Sequence, residues 1–181
     1  VHRLIESRKD LFFILTGSSA RKLKQANANL MAGRALIERL YPLTAEELGS
    51  DFDLKKALKT GLLPKAWTSK NPTAFLKSYV QTYIDLEVKL EGLSRDLPGF
   101  KRFLEAASSS QGSVLNISSV AQDCGVERRT TANYFQLLQD LLMSYELPIF
   151  SRKSKRKLVQ HNKFYLFDCG VFGILRPRGP L

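Results

Sequence analysis

Several residue types are scarce in this chain, and each shortage excludes something. The chain has only two cysteines, Cys124 and Cys169, and they lie far apart. They have no metal-ligand spacing and cannot frame a disulfide-built scaffold, so a reducing cytoplasm is the expected compartment. The two histidines, His2 and His161, have no partner at ligand or triad spacing and read as solvated side chains. Acidic residues are also short, 17 against 28 Lys and Arg, which leaves a net charge of +11. No apolar run approaches the ~20 residues needed to cross a bilayer, and no signal peptide is visible, so no membrane partner is expected. None of the 11 glycines precedes a lysine, so a phosphate-cradling Gly-x-x-x-x-Gly-Lys-Ser/Thr loop is missing. No apolar strand ends in paired acids that could hold Mg²⁺. A complete nucleotide-hydrolysis site is therefore absent from these residues.

What is present is a chain of 181 residues, 44% of them hydrophobic, enough for one domain or two small ones. The basic balance favours association with polyanions, meaning nucleic acid or an anionic surface. A basic face with no partner is the alternative. The first residue is Val1, not Met, and the expectation is a piece of a longer protein.

The apolar run at 11–15 reads as a strand buried on both faces, as in a parallel sheet. Gly17 breaks it, Ser18 or Ser19 caps a helix over about 20–31, and Gly33 stops that helix. A second apolar stretch at 35–41 ends at Pro42. Strand, helix, strand is a βαβ piece, and its parallel strands need neighbours. From Thr44 the spacing is helical, broken by Gly49, Gly61 and Pro64, with Trp67 as a packing residue. Asn71-Pro72 starts a long helix with Phe75, Tyr79, Ile84 and Leu86 on its apolar face. Pro98-Gly99 reads as a turn before a short amphipathic helix with a Ser-rich end.

The second half is more tightly patterned. In "NISSVAQDCGVERRTTANYFQLLQDLLMSYELPIF", Ser118 reads as the cap of a short helix over 119–123. Ala121 allows a close helix crossing, and Gly125 suits a left-handed turn. A second helix over 128–143 would turn Tyr134, Leu137, Leu138 and Leu141 or Leu142 inward. A small residue, a glycine four places on and a long helix make a helix-turn-helix signature. Arg128 and Arg129 open the second helix, where they would meet phosphate or guanine edges, or stand as plain exposed charges. Two apolar stretches then flank a basic segment, the pattern of a wing. Arg152, Lys153, Lys155, Arg156 and Lys157 would contact phosphates there, with a solvated loop as the alternative. Asp168 reads as the cap of the turn at Gly170, and both cysteines as small buried residues.

Taken in order, "LTGSS", "AGR" and "FYLFDCG" carry a resemblance. The stretch "FFILTGSSARKLKQANANLMAGRALIERLYPLTAEELG" is similar to the part that follows the acidic magnesium strand in a group of prokaryotic AAA+-type P-loop ATPases. The later "GSVLNISSVAQDCGVERRTTANYFQLLQDLLMSYELPIF" and "KFYLFDCGV" resemble the winged helix of the same group, which usually ends in a nuclease-like domain. The likeness runs over about 12–175 and lacks the P-loop and the nuclease-like part. It implies a mostly helical α+β chain. The end of an AAA+ core would occupy 1–43, a helical linker 44–95, a winged helix 96–176 and a tail 177–181. Ser18, or alternatively Thr16, would match the sensor residue near the γ-phosphate, with helix capping as the other reading of Ser18. Arg34 would match an arginine finger reaching a neighbouring subunit's nucleotide, or else pair with Glu38. ATP and Mg²⁺ would belong to the full-length parent, an ATPase, and none is expected to bind tightly to this inactive chain. The implied function couples a nucleotide-sensing remnant to a DNA-binding winged helix, with a homo-oligomer among the expected partners. A winged helix that docks proteins instead is the alternative.

Overall fold

The computed structural model describes residues 4, 7, 8, 10–14, 16, 36, 38–90, 96–149 and 162–176, with 83–90 taken by backbone alone. These residues are mostly helical with one small sheet, so the expected α+β class holds at that level. The helices start where the local chemistry supplies an acceptor for their unpaired N–H groups. Thr44 and Glu47 form a reciprocal capping box on α1 (Ala45–Leu48). A 3-10 turn, Gly49–Asp51, follows. Asp53 caps α2 (Leu54–Thr60), and Pro64 opens α3 (Pro64–Thr68) with its fixed φ. The Asn71 side chain accepts from Ala74 N at 3.1 Å at the head of α4 (Pro72–Leu90).

Asp96 accepts from Gly99 N at 2.8 Å and starts α5 (Leu97–Ser108). The turn expected at Pro98-Gly99 is thus the first turn of a helix. A proline there forfeits an N–H that has no helical partner anyway, so the Asp96 cap decides. Then come α6 (Ile117–Cys124) and α7 (Arg128–Asp140), followed by β1 (Ser144–Leu147), β2 (Lys163–Leu166) and α8 (Cys169–Leu175). The strands pair antiparallel, with Ser144 opposite Leu166 and Leu147 opposite Lys163. Isolated bridges from Gln111 and Val114 extend the far side of β2.

A chain of rings forms the core. Phe100 meets Tyr134 edge-on at 4.9 Å between centroids, Phe103 meets Phe135 at 4.8 Å, and Phe135 meets Phe164 at 5.2 Å. All five are buried, and they join α5, α7 and β2. Leu104, Val120, Leu137, Leu138 and Met143 complete the packing.

The strands expected at 11–15 and 35–41 are not seen at their described positions: 11–14, 36 and 38–41 carry no strand pairing. Their apolar side chains are uncovered, Phe12 at 89% exposure and Leu40 at 100%. A parallel strand is stable only with neighbours on both sides, and the sheet seen among the described residues is the antiparallel pair.

Asp168 ties α8 to the turn between α2 and α3. Its carboxylate accepts from Val171 N at 3.0 Å, which caps α8, and from Leu62 N at 2.7 Å, which is 106 positions away. The helix and the α2–α3 turn approach so closely that a methyl group on Gly170 would run into the Thr60 carbonyl. Asp168→Ala leaves both N–H groups without their acceptor. It is expected to lower unfolding free energy by about 1–3 kcal/mol. That corresponds to a fall in Tm of about 2–4 °C for each kcal/mol, read by circular dichroism.

Candidate nucleic-acid interface

The turn between α6 and α7 is built by one glycine. Gly125 has φ 63°, and Val126 N donates back to Ala121 O at 3.1 Å. Little side-chain bulk stands at the crossing, since Ala121 and Cys124 are both buried there. The Arg102 guanidinium donates from Nε to Cys124 O at 3.0 Å, satisfying a carbonyl at the end of α6. The cap of α6 is Asn116, not Ser118. Its Oδ1 accepts from both Ser118 N and Ser119 N at 3.1 Å, and the helix begins two residues before the expected 119. Asn has the longer reach and can serve two donors at once, which displaces Ser118 from the cap.

Ser118 is instead a partner of the next helix. Arg128 Nε donates to Ser118 Oγ at 3.1 Å across the hairpin. Arg128 and Arg129 therefore stand together at the exposed start of α7. Among the described residues Arg129 has no hydrogen bond or ion pair. The inward face of α7 is Thr131, Tyr134, Phe135, Leu137 and Leu138. Thr131 is fully buried where an apolar β-branched residue is common; its hydroxyl donates to Glu127 O at 3.1 Å and is satisfied.

The outward face carries Arg129, Asn133 and Gln136, all exposed and spaced four and three residues apart. That spacing puts them on one stripe of the helix. Gln136 donates to Asp140 Oδ1 at 3.1 Å. Arg, Asn and Gln are the side chains whose geometry fits guanine and adenine edges. Asn133 and Gln136 were legible in the sequence as the polar positions opposite Tyr134, Leu137 and Leu138.

Helix α7 is shorter than expected, ending at Asp140 rather than 143. Leu142 adopts φ 59°, and Met143 N donates to Leu138 O at 2.8 Å, which closes the helix and buries Met143. Of the two inward candidates, Leu141 is buried and Leu142 faces out. The turn delivers the chain straight into β1. Two inward-facing strand positions, Phe164 and Leu166, then pack on the core.

The other candidate residues are more scattered. Thr16 is exposed. Ser18, Arg34, Arg152, Lys153, Lys155, Arg156 and Lys157 lie outside the described residues. The last five fall in sequence within the connection from β1 to β2. Cys169, expected buried, is exposed at the first position of α8, where the chain turns outward from the Asp168 cap. Partial burial of its sulfur, and after that the Asp168 charge, push the Cys169 thiol up, which disfavours a thiolate nucleophile.

Among the described residues no group of three or more His, Cys, Asp or Glu is placed to hold a metal ion. With no Gly-Lys dipeptide in the chain, the described residues do not fit an ATP–Mg²⁺ site. A cleft of about 330 Å³ lies between α4, α5 and α8, floored by Val80, Leu104 and Ile174, well away from the arginine pair in sequence. No described helix is long and apolar enough to cross a membrane.

Residues 51–180 match the model of a family described as "Domain of unknown function (DUF8612)". The chain belongs to that family. Residues 1–49 match an AAA domain, so the front of the chain is related to AAA-type ATPases, a family that uses nucleotide and Mg²⁺. Two uncharacterised proteins, Mb2031c of Mycobacterium bovis and Rv2008c of Mycobacterium tuberculosis, are each 24% identical over 162 residues, covering 88% of this chain and 36% of theirs. The chain spans about a third of the length of these curated relatives. No solved structure matches.

The hairpin turn gives a clean test of backbone strain. Nothing lies within 4 Å of where a Cβ on Gly125 would stand, so Gly125→Ala meets no clash. Its cost is the left-handed backbone alone, about 1–2 kcal/mol, and Gly125→Asn should cost less. Urea unfolding of the two variants checks the order.

Proposed function

We propose that this chain joins the end of an AAA-type ATPase core to a winged helix that holds duplex DNA, under the control of nucleotide chemistry in the longer parent. The exposed Arg129, Asn133 and Gln136 stripe on α7 carries this reading. In it, α5, α6 and α7 are the three helices of the winged helix, α7 enters the major groove, and β1 and β2 are the strands of the wing. Three features support it. The α6–α7 crossing has a left-handed glycine at its turn. An antiparallel strand pair follows directly after α7. The excess of positive charge suits a phosphate backbone.

The side chains divide by role. Arg129, Asn133 and Gln136 read base edges, and Arg128, held by Ser118, sits at the backbone beside them. Arg152, Lys153, Lys155, Arg156 and Lys157 meet phosphates from the wing, adding affinity without sequence preference. At the front, Ser18 or Thr16 acts as the sensor of the γ-phosphate, and Arg34 reaches the nucleotide of a neighbouring subunit in a homo-oligomer. These roles belong to the assembled parent in the cytoplasm, where ATP and Mg²⁺ bind.

Fluorescence anisotropy on a labelled duplex tests the proposal. Log affinity should fall with log salt at a slope of roughly −0.9 for each phosphate contact. Arg129→Ala should weaken a preferred sequence roughly tenfold with the slope little changed, the signature of a lost base contact. Replacing the five wing cations by Ala should flatten the slope. Duplex binding that is undetectable at low salt, or indifferent to salt, removes the DNA reading and leaves the winged helix as a protein-docking module.

A further inference from the structure

The two faces of the small sheet differ in a way that duplex binding does not use. Residues paired across an antiparallel ladder share a face, and the face alternates along each strand. Ser144, Leu166 and Phe164 take the inner face and are buried. The outer face therefore carries the Tyr145–Tyr165 pair and, two residues along, Leu147 beside Lys163. Val114, bridged to Lys163, extends that second row. The two tyrosine rings are stacked, 5.4 Å between centroids and 11° between planes. One flank of the stack lies beside Gly112, where a Cβ would stand 3.8 Å from the Tyr165 ring, an ordinary contact. The Tyr145 end is open, at 53% exposure, and Val114 and Leu147 are about as exposed.

We infer that this outer face is a stacking site for the unpaired bases of single-stranded nucleic acid. An exposed aromatic plane at the end of a stack is what a flat, unpaired base extends, and any base has a suitable π-face. A base within a duplex is already stacked on both sides and offers none. The charge on the face selects the same partner. Lys163 is the charged side chain of this face among the described residues, and it stands beside the tyrosine row, where a phosphate linking two stacked bases would pass. The nearest carboxylate along the strands, Glu146, points to the opposite face. There it accepts from Gln139 and Asn162 side-chain amides, both at 2.8 Å. An aromatic face whose strand positions carry no acid among the described residues, on a chain of net charge +11, is complementary to an anionic strand. The site goes beyond the proposed duplex binding and uses none of the residues assigned to it.

The test compares two probes on the whole chain: a fluorescein-labelled oligothymidylate of about 12 nucleotides, and the labelled duplex. Tyr145→Leu keeps an apolar group of strand-compatible size but removes the ring. It is expected to weaken oligothymidylate binding roughly tenfold or more while duplex affinity changes less than twofold. Tyr145→Trp should restore binding, and Lys163→Ala should weaken binding most at low salt and flatten its salt dependence. Arg129→Ala should leave oligothymidylate binding unchanged, so failure of the duplex reading is seen separately. Circular dichroism shows whether each variant is folded. Unchanged oligothymidylate affinity in folded Tyr145→Leu overturns the inference, as does full recovery by Tyr145→Val, which would mark a merely apolar docking face. Parallel loss of both probes in Arg129→Ala also overturns it, since the two sites would then be one.

Discussion

The linked rings of Phe100, Phe103, Tyr134, Phe135 and Phe164 fix everything that lies outside them. Edge-to-face contacts at 4.8 to 5.2 Å are directional as well as apolar, so they set how α7 is rotated about its own axis against α5. Once Tyr134 and Phe135 point inward, helical geometry leaves Arg129, Asn133 and Gln136 no choice but the opposite side. The same is true of the sheet. Phe164 locks one face of β2 onto Phe135, and strand alternation sends Tyr165 outward to its partner Tyr145. Both candidate surfaces are thus consequences of one core, and neither requires a contact of its own to be held in place.

A second constraint joins this core to the segment before it. Leu43 N donates to Leu62 O at 2.9 Å, and Leu62 N donates to Asp168 at 2.7 Å. Phe167 N, next to Asp168, donates to Met143 O immediately before β1. Leu43 lies within the stretch that matches an AAA domain, so backbone and carboxylate bonds run without a gap from that stretch to the strand pair. A short relay of hydrogen bonds through a buried carboxylate resists stretching more than a flexible linker does. The bonds link Leu43 to the base of α8 and to the residue before β1. Spatial continuity of this kind supplies a route for coupling; the coupling itself depends on two states of the front segment.

How much of this could be read from the residues depended on whether a local pattern had one solution. The period-3.6 placement of Tyr134, Leu137 and Leu138 and the lone glycine at 125 define a helix and a turn with few alternatives, and both appear. Caps were less legible, because Asn116 and Ser118 are both good capping residues and only the side-chain reach of Asn116 to two N–H groups separates them. Pro98-Gly99 misled for a related reason, since the same dipeptide suits a turn and a helix start and Asp96 decides between them. The run at 11–14 states only what would be buried beside partner strands. Among the described residues none pairs with it, and Phe12 and Ile14 are exposed. The tyrosine pair was hidden for yet another reason. Tyr145 and Tyr165 are 20 positions apart, and only the register of the hairpin brings them together.

The use made of the acidic side chains closes the argument about charge. Asp53, Asp96 and Asp168 accept from backbone N–H groups at helix starts, and Glu47 completes a capping box. Glu146 holds two side-chain amides. These carboxylates answer helix dipoles and neutral donors, which favour a negative charge at those places. Arg8 and Asp10 do pair, at the exposed surface, where such a bridge contributes little. Four of the 17 acids serve as helix caps in this way. The excess of Lys and Arg over Asp and Glu acts as an outward field. Net charge alone does not choose among anions, so geometry must decide which partner fits. The polar stripe of α7 and the flat tyrosine stack of the sheet are two geometries of different kinds: in the readings proposed above, the first meets the edges of paired bases and the second the planes of unpaired ones.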